Sequence, residues 1–150
     1  MGPLSRITNN LRLSNQKYAS DVKILMKKKI AYVLTVSEKP LDSQTLAYFD
    51  EQKISHDFIH FTERDDYTLA QLQSILDSIA TKIHERQKTH KMVIHCVKGQ
   101  NRSAAAVLYW MITYKGLSFP DALKTVQQKR HILIDPQWLK MIKRMTAERS

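Results

Sequence analysis

A short apolar run, a tight loop and a long apolar segment follow one another directly in the second half of the chain. Residues 92–95 have the length and composition of a buried strand, and residues 104–112 are apolar almost all round, which is typical of a central helix. Gly116 supplies an end for that helix. Since only residues 96–103 connect the two apolar elements, they have to form a compact loop at the beginning of the helix.

This connecting loop carries the residue types that phosphate binding requires. The sequence from strand to helix reads His95-Cys96-Val97-Lys98-Gly99-Gln100-Asn101-Arg102-Ser103. Backbone N–H groups between Cys96 and Arg102 can turn inward at the helix N-terminus and form a concave anion site. Arg102 adds a planar fork of donors that can bind two phosphate oxygens at once. We therefore predict a phosphate loop formed by Val97, Lys98, Gly99, Gln100, Asn101 and Arg102.

Cys96 is the candidate nucleophile of this loop. The N–H groups and the helix dipole that attract phosphate also favour thiolate over thiol, which lowers the pKa of a cysteine at this position. Ser103 is predicted to donate a hydrogen bond to the Cys96 sulfur and so to help the sulfur leave phosphorus in the second step of a reaction. His95 is predicted to support the loop by hydrogen bonding. The alternative interpretation is that Cys96 is only a small buried residue at the end of a strand. That interpretation leaves the spacing of Gly99 and Arg102 unexplained.

The rest of the chain alternates between strand and helix patterns. Residues 6–14, with a turn at Asn9-Asn10, are predicted to form a hairpin or two edge strands. Two further strands are predicted at residues 30–36 and 58–61. Helices are predicted from Ser20, over residues 41–52, and after Thr68, Ser118 and Asp135. The helix from Ser20 is expected to bury Val22, Leu25 and Met26. This alternation predicts an α/β fold with a central, mostly parallel sheet flanked by helices.

The length of 150 residues suits one domain, predicted over residues 1–150, with residues 1–5 as a flexible start or a remnant of cloning. The single cysteine excludes an intramolecular disulfide and argues for a reducing compartment. No apolar run approaches the length of a membrane span. We expect an intracellular protein, in the cytoplasm or the nucleus, or in a virion if the chain is viral.

The chain is strongly basic, with 24 Lys and Arg against 14 Asp and Glu and a formal net charge of +10. Such a surface should attract anionic partners, among them phosphorylated proteins, RNA and acidic lipids. Individual basic clusters, such as Lys129-Arg130-His131, are interpreted as solvated helix ends. The histidines show no metal-ligand spacing, so that neither a metal nor another cofactor is predicted. The oligomeric state is not predicted.

The pattern H-C-x-x-G-x-x-R-S in residues 95–103 resembles the signature of cysteine-dependent protein tyrosine phosphatases, with the serine typical of the dual-specificity branch. Residues 7–14 and 122–136 are similar to the opening strands and closing helices of small dual-specificity phosphatases, including the poxvirus H1-like enzymes. The resemblance covers nearly the whole chain. It implies a protein tyrosine phosphatase-like fold and hydrolysis of phosphotyrosine and phosphoserine or phosphothreonine in proteins through a phosphocysteine.

The resemblance also implies a general-acid loop between the strand that ends near Phe61 and the helix after Thr68. By its spacing from His60 and Phe61, Asp65 aligns best with the family's general acid, and Asp66 is the alternative. A carboxyl group there would protonate the leaving oxygen.

Two other functions remain open. Lys98 stands where many family members carry a small residue, and its charge at the pocket mouth favours RNA 5′-phosphates or phosphoinositides as alternative substrates of the same chemistry. The second alternative is a module that binds phosphate without turnover, against which the presence of Cys96, Arg102 and a candidate acid counts.

Overall fold

The computed structural model describes residues 4–147. The strands are β1 (Leu4–Arg6), β2 (Leu11–Ser14), β3 (Tyr32–Ser37), β4 (Ser55–His60) and β5 (Met92–His95). The helices are α1 (Gln16–Ala19), α2 (Val22–Lys27), α3 (Ser43–Glu51), α4 (Leu69–Gln87), α5 (Arg102–Lys115), α6 (Phe119–Lys129) and α7 (Pro136–Met145). No helix within this range is both long and apolar enough to cross a membrane.

The strands form one sheet in the order β1-β2-β5-β3-β4. Strand β1 is antiparallel to β2, whereas the other neighbouring strands are parallel. The predicted α/β architecture with a mostly parallel sheet is confirmed. Its centre is β5, whose last residue, His95, pairs with Ser14 of β2 on one side and with Thr35 of β3 on the other.

Alternate residues of the central strands face two apolar clusters, because successive side chains of a strand point to opposite faces. Leu34 and Ile94 belong to the larger cluster, which includes residues of α4, α5, α6 and α7. Val33 and Val93 belong to the smaller cluster, which includes residues of α1, α2 and α3. Helices therefore cover both faces of the sheet, and β5 is buried along its whole length.

Several helix ends are set by the residues predicted to set them. The Thr68 side chain accepts from the Gln71 N–H while the Gln71 side chain accepts from the Thr68 N–H, which is a capping box at the start of α4. Gly116 ends α5 with a φ of +73°, in the left-handed region that favours glycine. Ser118 caps α6 and Asp135 caps α7, each just before an early proline.

The N-terminal third confirms one of the two alternatives predicted for it and differs from the prediction in two further respects. Strands β1 and β2 form an antiparallel hairpin around Asn9-Asn10, whereas the alternative of two edge strands is wrong because β2 lies between β1 and β5. The helix predicted from Ser20 is α2, which begins at Val22, and the short helix α1 before it was not predicted. Met26 on α2 is 51% exposed, since it lies about 100° around the helix from the buried Leu25. Leu4 and Ser5 are buried and belong to the sheet rather than to a flexible start, whereas residues 1–3 lie outside the described range.

The capping box at Thr68 gives a stability prediction. Thr68→Ala removes the acceptor for the Gln71 N–H and is expected to lower the free energy of unfolding by about 1 kcal/mol. Urea denaturation followed by circular dichroism measures the change. Ser78→Ala, at an exposed position in the middle of α4, is the matched control and should leave stability unchanged or slightly raised. Equal effects of the two substitutions would contradict the capping role.

Candidate active site

The segment that contains Cys96 and the predicted phosphate loop, residues 97–102, lies where the parallel strands end. It runs from the carboxyl end of β5 to the first turn of α5. Strands β2 and β3 end on either side of it, because both pair with β5 in parallel. This edge is the position at which open α/β sheets bind ligands.

Arg130, just after α6, holds the middle of the phosphate loop. Its Nε donates to the Gly99 carbonyl at 2.9 Å and its Nη2 to the Lys98 carbonyl at 3.2 Å. Its Nη1 donates to Ser5 Oγ of β1 at 3.1 Å. Arg130 stands at a helix end, as the sequence predicted, but the interpretation of that end as solvated is wrong, since the side chain is half-buried between the loop and the sheet edge.

Two further loop carbonyls are bound by backbone N–H groups from outside the loop. The Gln16 N–H donates to the Val97 carbonyl at 2.9 Å, and the Leu133 N–H donates to the Gln100 carbonyl at 2.9 Å. Together with the Lys98 and Gly99 carbonyls that Arg130 binds, four successive carbonyls, those of residues 97–100, are therefore turned away from the loop centre. This arrangement leaves N–H groups for the concave side, as an anion site requires.

Gly99 is the residue that allows the loop to take this path. Its φ is +70°, a conformation that costs an L-amino acid with a side chain roughly 1 kcal/mol or more. A Cβ there would lie 2.4 Å from the Ser14 carbonyl oxygen and 2.9 Å from Arg130 Nη2. The backbone at this position therefore has no room for a side chain.

Asn101 secures the end of the loop. Its side-chain Oδ1 accepts from the Asp135 N–H at 2.8 Å, which connects the start of α5 to the start of α7. This contact supports the backbone of the loop.

Cys96 lies at the base of the loop and is 1% exposed. Its Sγ is 3.1 Å from Ser103 Oγ in the first turn of α5. Burial, the largest single influence, raises the pKa of the thiol, but hydrogen bonds from the Ser103 hydroxyl and from the Ser103 and Gly99 N–H groups, with the charge of Arg102, outweigh it. The net effect is a lowered pKa, which favours the thiolate.

His95 is fully buried beneath the loop and is held at both ring nitrogens. Nδ1 lies 2.9 Å from the Cys96 carbonyl, which can only accept, so we assign the proton to Nδ1. Nε2 then accepts from the Thr35 hydroxyl at 2.8 Å. Burial lowers the pKa of His95 to about 4, so the ring is neutral at physiological pH and orients the Cys96 backbone.

Arg102 is 6% exposed, and its guanidinium is only partly engaged by the protein. Nη1 donates to the Phe61 carbonyl at 3.2 Å. Nε forms no hydrogen bond within the described part of the chain; the Glu63 carboxylate, at 3.6 Å, forms an ion pair with it. A buried N–H without an acceptor is costly, and a phosphate oxygen would satisfy it.

The segment of residues 62–66, called the acid loop here, connects β4 to α4 and contains the predicted acids. Asp65 is exposed, and none of the hydrogen bonds and ion pairs found among the described residues joins it to Cys96 or Arg102. Asp66 is exposed and accepts from Arg64 Nε at 2.5 Å, a hydrogen bond that lowers the pKa of its carboxyl group. Glu63 is the residue of this loop that the structure brings to Arg102.

Sequence reasoning missed three residues that support or contact the site, namely Thr35, Arg130 and Glu63. Thr35 lies opposite His95 only because of the register between β3 and β5. Arg130 stood in a basic run whose pattern was that of a solvent-exposed helix end. Within residues 4–147, no group of His, Cys, Asp and Glu is arranged to hold a metal ion.

Replacing Ser103 should change the acidity of the Cys96 thiol, the candidate nucleophile. Ser103→Ala removes the hydroxyl that lowers the thiol pKa, so the pH midpoint for alkylation of Cys96 by iodoacetamide is expected to move upward. The readout is specific because Cys96 is the only cysteine in the chain. Ser78→Ala is the control with an unchanged midpoint. A midpoint that stayed in place in Ser103→Ala would show that the hydroxyl does not stabilise the thiolate.

Buried His95 should make the fold sensitive to mild acid. The unfolded chain protonates this ring near pH 6.5, whereas the folded protein resists protonation until about pH 4, so the unfolded state binds more protons in between. Stability should therefore fall as pH drops through this window, by up to about 3 kcal/mol in total. Urea unfolding at several pH values measures this, and His95→Asn should flatten the dependence. The same slope in both proteins would contradict the assignment.

Comparisons with known proteins agree with this geometry. A family model described as "Dual specificity phosphatase, catalytic domain" matches residues 11–146. Dual specificity protein phosphatase 18 of Rattus norvegicus is 30% identical over 131 residues, which cover 87% of this chain and 60% of that protein. The Mus musculus protein of the same name is 31% identical over 132 residues, which cover 87% and 65%. This chain spans less than two thirds of the length of either relative.

Solved structures show the same fold. The crystal structure of DUSP15 aligns with a TM-score of 0.82 at 20% identity, covering 99% of this chain and 92% of that chain. Human DUSP28 aligns with a TM-score of 0.75 at 17% identity, covering 99% and 95%. The resemblance found in the sequence is confirmed: with a match that extends from the second strand of the sheet to the end of the last helix, the chain belongs to the dual-specificity phosphatase catalytic-domain family.

Proposed function

We propose that the protein is a cysteine-dependent phosphatase that hydrolyses phosphotyrosine and phosphoserine or phosphothreonine in proteins. The observation that carries the proposal is the environment of Cys96: a buried thiol with a lowered pKa, at the N-terminus of a buried helix and in a loop whose carbonyls are bound from outside. These features combine a nucleophile with a site for its dianionic target. Family membership supports the same conclusion.

In the first step the Cys96 thiolate attacks phosphorus. The S–P bond forms while the bond between phosphorus and the substrate oxygen breaks, and Arg102 and the loop N–H groups hold the remaining phosphate oxygens. Preorganised donors of this kind are worth about 10²–10³-fold each in rate. The leaving oxygen takes a proton from the acid loop, for which spacing predicts Asp65, with Asp66 as the alternative.

In the second step water hydrolyses the phosphocysteine. The water oxygen bonds to phosphorus, its proton goes to the carboxylate that donated in the first step, and the S–P bond breaks with its electrons on sulfur. Ser103 Oγ, 3.1 Å from Sγ, can donate to the departing thiolate. This hydroxyl stabilises the same negative charge on sulfur in the resting enzyme and at the end of the cycle.

The surroundings of the loop support a polypeptide substrate. Val97 and Lys98 are exposed although the adjacent Cys96 is buried, so the phosphate site lies close to the protein surface, within reach of short phosphorylated side chains. An open groove of about 420 Å³ begins at Val97 and continues past Ser37 and Lys39. Its polar lining suits the backbone of a peptide on either side of the phosphorylated residue.

Two broader expectations stay proposals. The formal charge of +10 supports attraction of anionic partners, including RNA and acidic lipids in addition to phosphoproteins. The need to keep Cys96 reduced supports an intracellular location in the cytoplasm or nucleus, or a virion if the chain is viral.

Phosphate release from a panel of substrates tests the proposed function. Phosphotyrosine and phosphothreonine peptides, an RNA 5′-triphosphate and a phosphoinositide are compared at matched concentration. We expect release from both peptides, lowered by about 10³-fold or more in Cys96→Ser, because the nucleophile is lost while the phosphate loop remains. Ser78→Ala is the control with unchanged activity.

Three other results would contradict parts of this proposal. Faster release from RNA or lipid than from either peptide would overturn the substrate assignment and leave the nucleophile in place. Turnover that survived in Cys96→Ser would exclude Cys96 as the nucleophile. Peptide binding by the unaltered protein without release from any substrate would indicate a phosphate-binding module.

A further inference from the structure

The acid loop offers three carboxylates, and their surroundings differ sharply. Glu63 Oε1 lies 3.6 Å from Nε of the buried Arg102, although 56% of the Glu63 side chain is exposed. Glu63 therefore borders both the phosphate site and the solvent from which a substrate arrives. A proton donor for a leaving group needs this position, next to the bound phosphate and on the side where the substrate extends.

The backbone on both sides of Glu63 is fixed. The Phe61 carbonyl accepts from Arg102 Nη1 at 3.2 Å, and the Arg64 carbonyl accepts from Trp138 Nε1 at 3.0 Å. The Trp138 ring stacks on Phe61 with centroids 5.0 Å apart and an interplanar angle of 17°. With anchors two residues before and one residue after it, Glu63 is held facing Arg102.

The two aspartates lie beyond the second anchor. Asp66 is bound to Arg64 at 2.5 Å, and this hydrogen bond favours its ionised form, which has no proton to donate. The Arg64 guanidinium is in turn held over the Tyr67 ring, 4.9 Å from its centroid. Asp65 is exposed, and none of the hydrogen bonds and ion pairs found within residues 4–147 connects it to the phosphate loop.

We propose that Glu63, rather than Asp65 or Asp66, is the catalytic carboxyl group that protonates the leaving oxygen. The inference rests on the proposed phosphatase function. When the dianionic phosphate binds, its oxygens take over Arg102 Nε and free Glu63 from the ion pair. The protonated Glu63 carboxyl gives its proton to the substrate oxygen as the P–O bond breaks, and the carboxylate then accepts the proton of the water that attacks the phosphocysteine.

Substrates with different leaving groups test the proposal. A fluorinated coumarin phosphate has a leaving group that departs without a proton, whereas phenyl phosphate needs one. In Glu63→Gln, we expect the rate of leaving-group release from phenyl phosphate to fall by about 10²–10⁴-fold, and the rate from the coumarin phosphate to fall less than about tenfold. Rapid-mixing measurements of the first turnover isolate this step. Glu51→Gln, an exposed glutamate at the end of α3, is the matched control and should leave both rates unchanged.

The competing carboxylates are tested in the same assay with Asp65→Asn and Asp66→Asn. A leaving-group-dependent loss in either of these, and not in Glu63→Gln, would overturn the proposal. An equal loss on both substrates in Glu63→Gln, with a raised KM, would also overturn it, because Glu63 would then only position Arg102. The pH profile is a second readout: the decline in kcat/KM for phenyl phosphate at high pH should disappear in Glu63→Gln.

Failure of this proposal can be told apart from failure of the proposed function. If the unaltered protein releases phosphate from the coumarin substrate and Cys96→Ser does not, the phosphatase function stands whatever Glu63→Gln does. If the unaltered protein shows no Cys96-dependent release, the phosphatase function fails, and the proposal for Glu63 fails with it.

Discussion

The phosphate loop can bind an anion only if its N–H groups face inward, so its carbonyls must face outward and find donors elsewhere. Those donors come from distant parts of the chain. Gln16 of α1 binds the Val97 carbonyl, and Arg130 and Leu133, on the segment between α6 and α7, bind the next three. The conformation of the loop is therefore a property of the whole domain.

Burial acts on the chemistry of two ionisable groups at the site. Cys96 and His95 are nearly inaccessible to water, and burial disfavours the charged form of each. The protein resolves this differently in each case. His95 stays neutral between Thr35 and the Cys96 carbonyl, whereas the thiolate receives donors from Ser103 and Gly99. In a site of low dielectric, these few hydrogen bonds count for more than they would in water.

The features that could be predicted from the sequence are those that depend on residues close together in the chain. The strand-loop-helix order, the cap at Thr68 and the Cys96–Arg102 spacing are local, and the structure contains each of them. The role of Arg130 depends on packing between elements far apart in sequence, about which a basic run says nothing. The acid loop shows the same limit. Spacing favours Asp65, but the direction of each side chain depends on two anchored carbonyls that sequence does not reveal.

The acid loop and the phosphate loop share one support. Between α6 and α7, Arg130 and Leu133 hold carbonyls of the phosphate loop, and at the start of α7 Trp138 holds the carbonyl of Arg64 in the acid loop. Arg102 closes this arrangement from the other side, since it begins at the phosphate loop and donates to the Phe61 carbonyl. Residues 130–138 thus help to hold Cys96 and the carboxylates of the acid loop at a fixed separation, together with Gln16 and Arg102. The proposed proton transfer requires this separation to be maintained closely, and part of that support comes from residues more than 30 positions later in the chain.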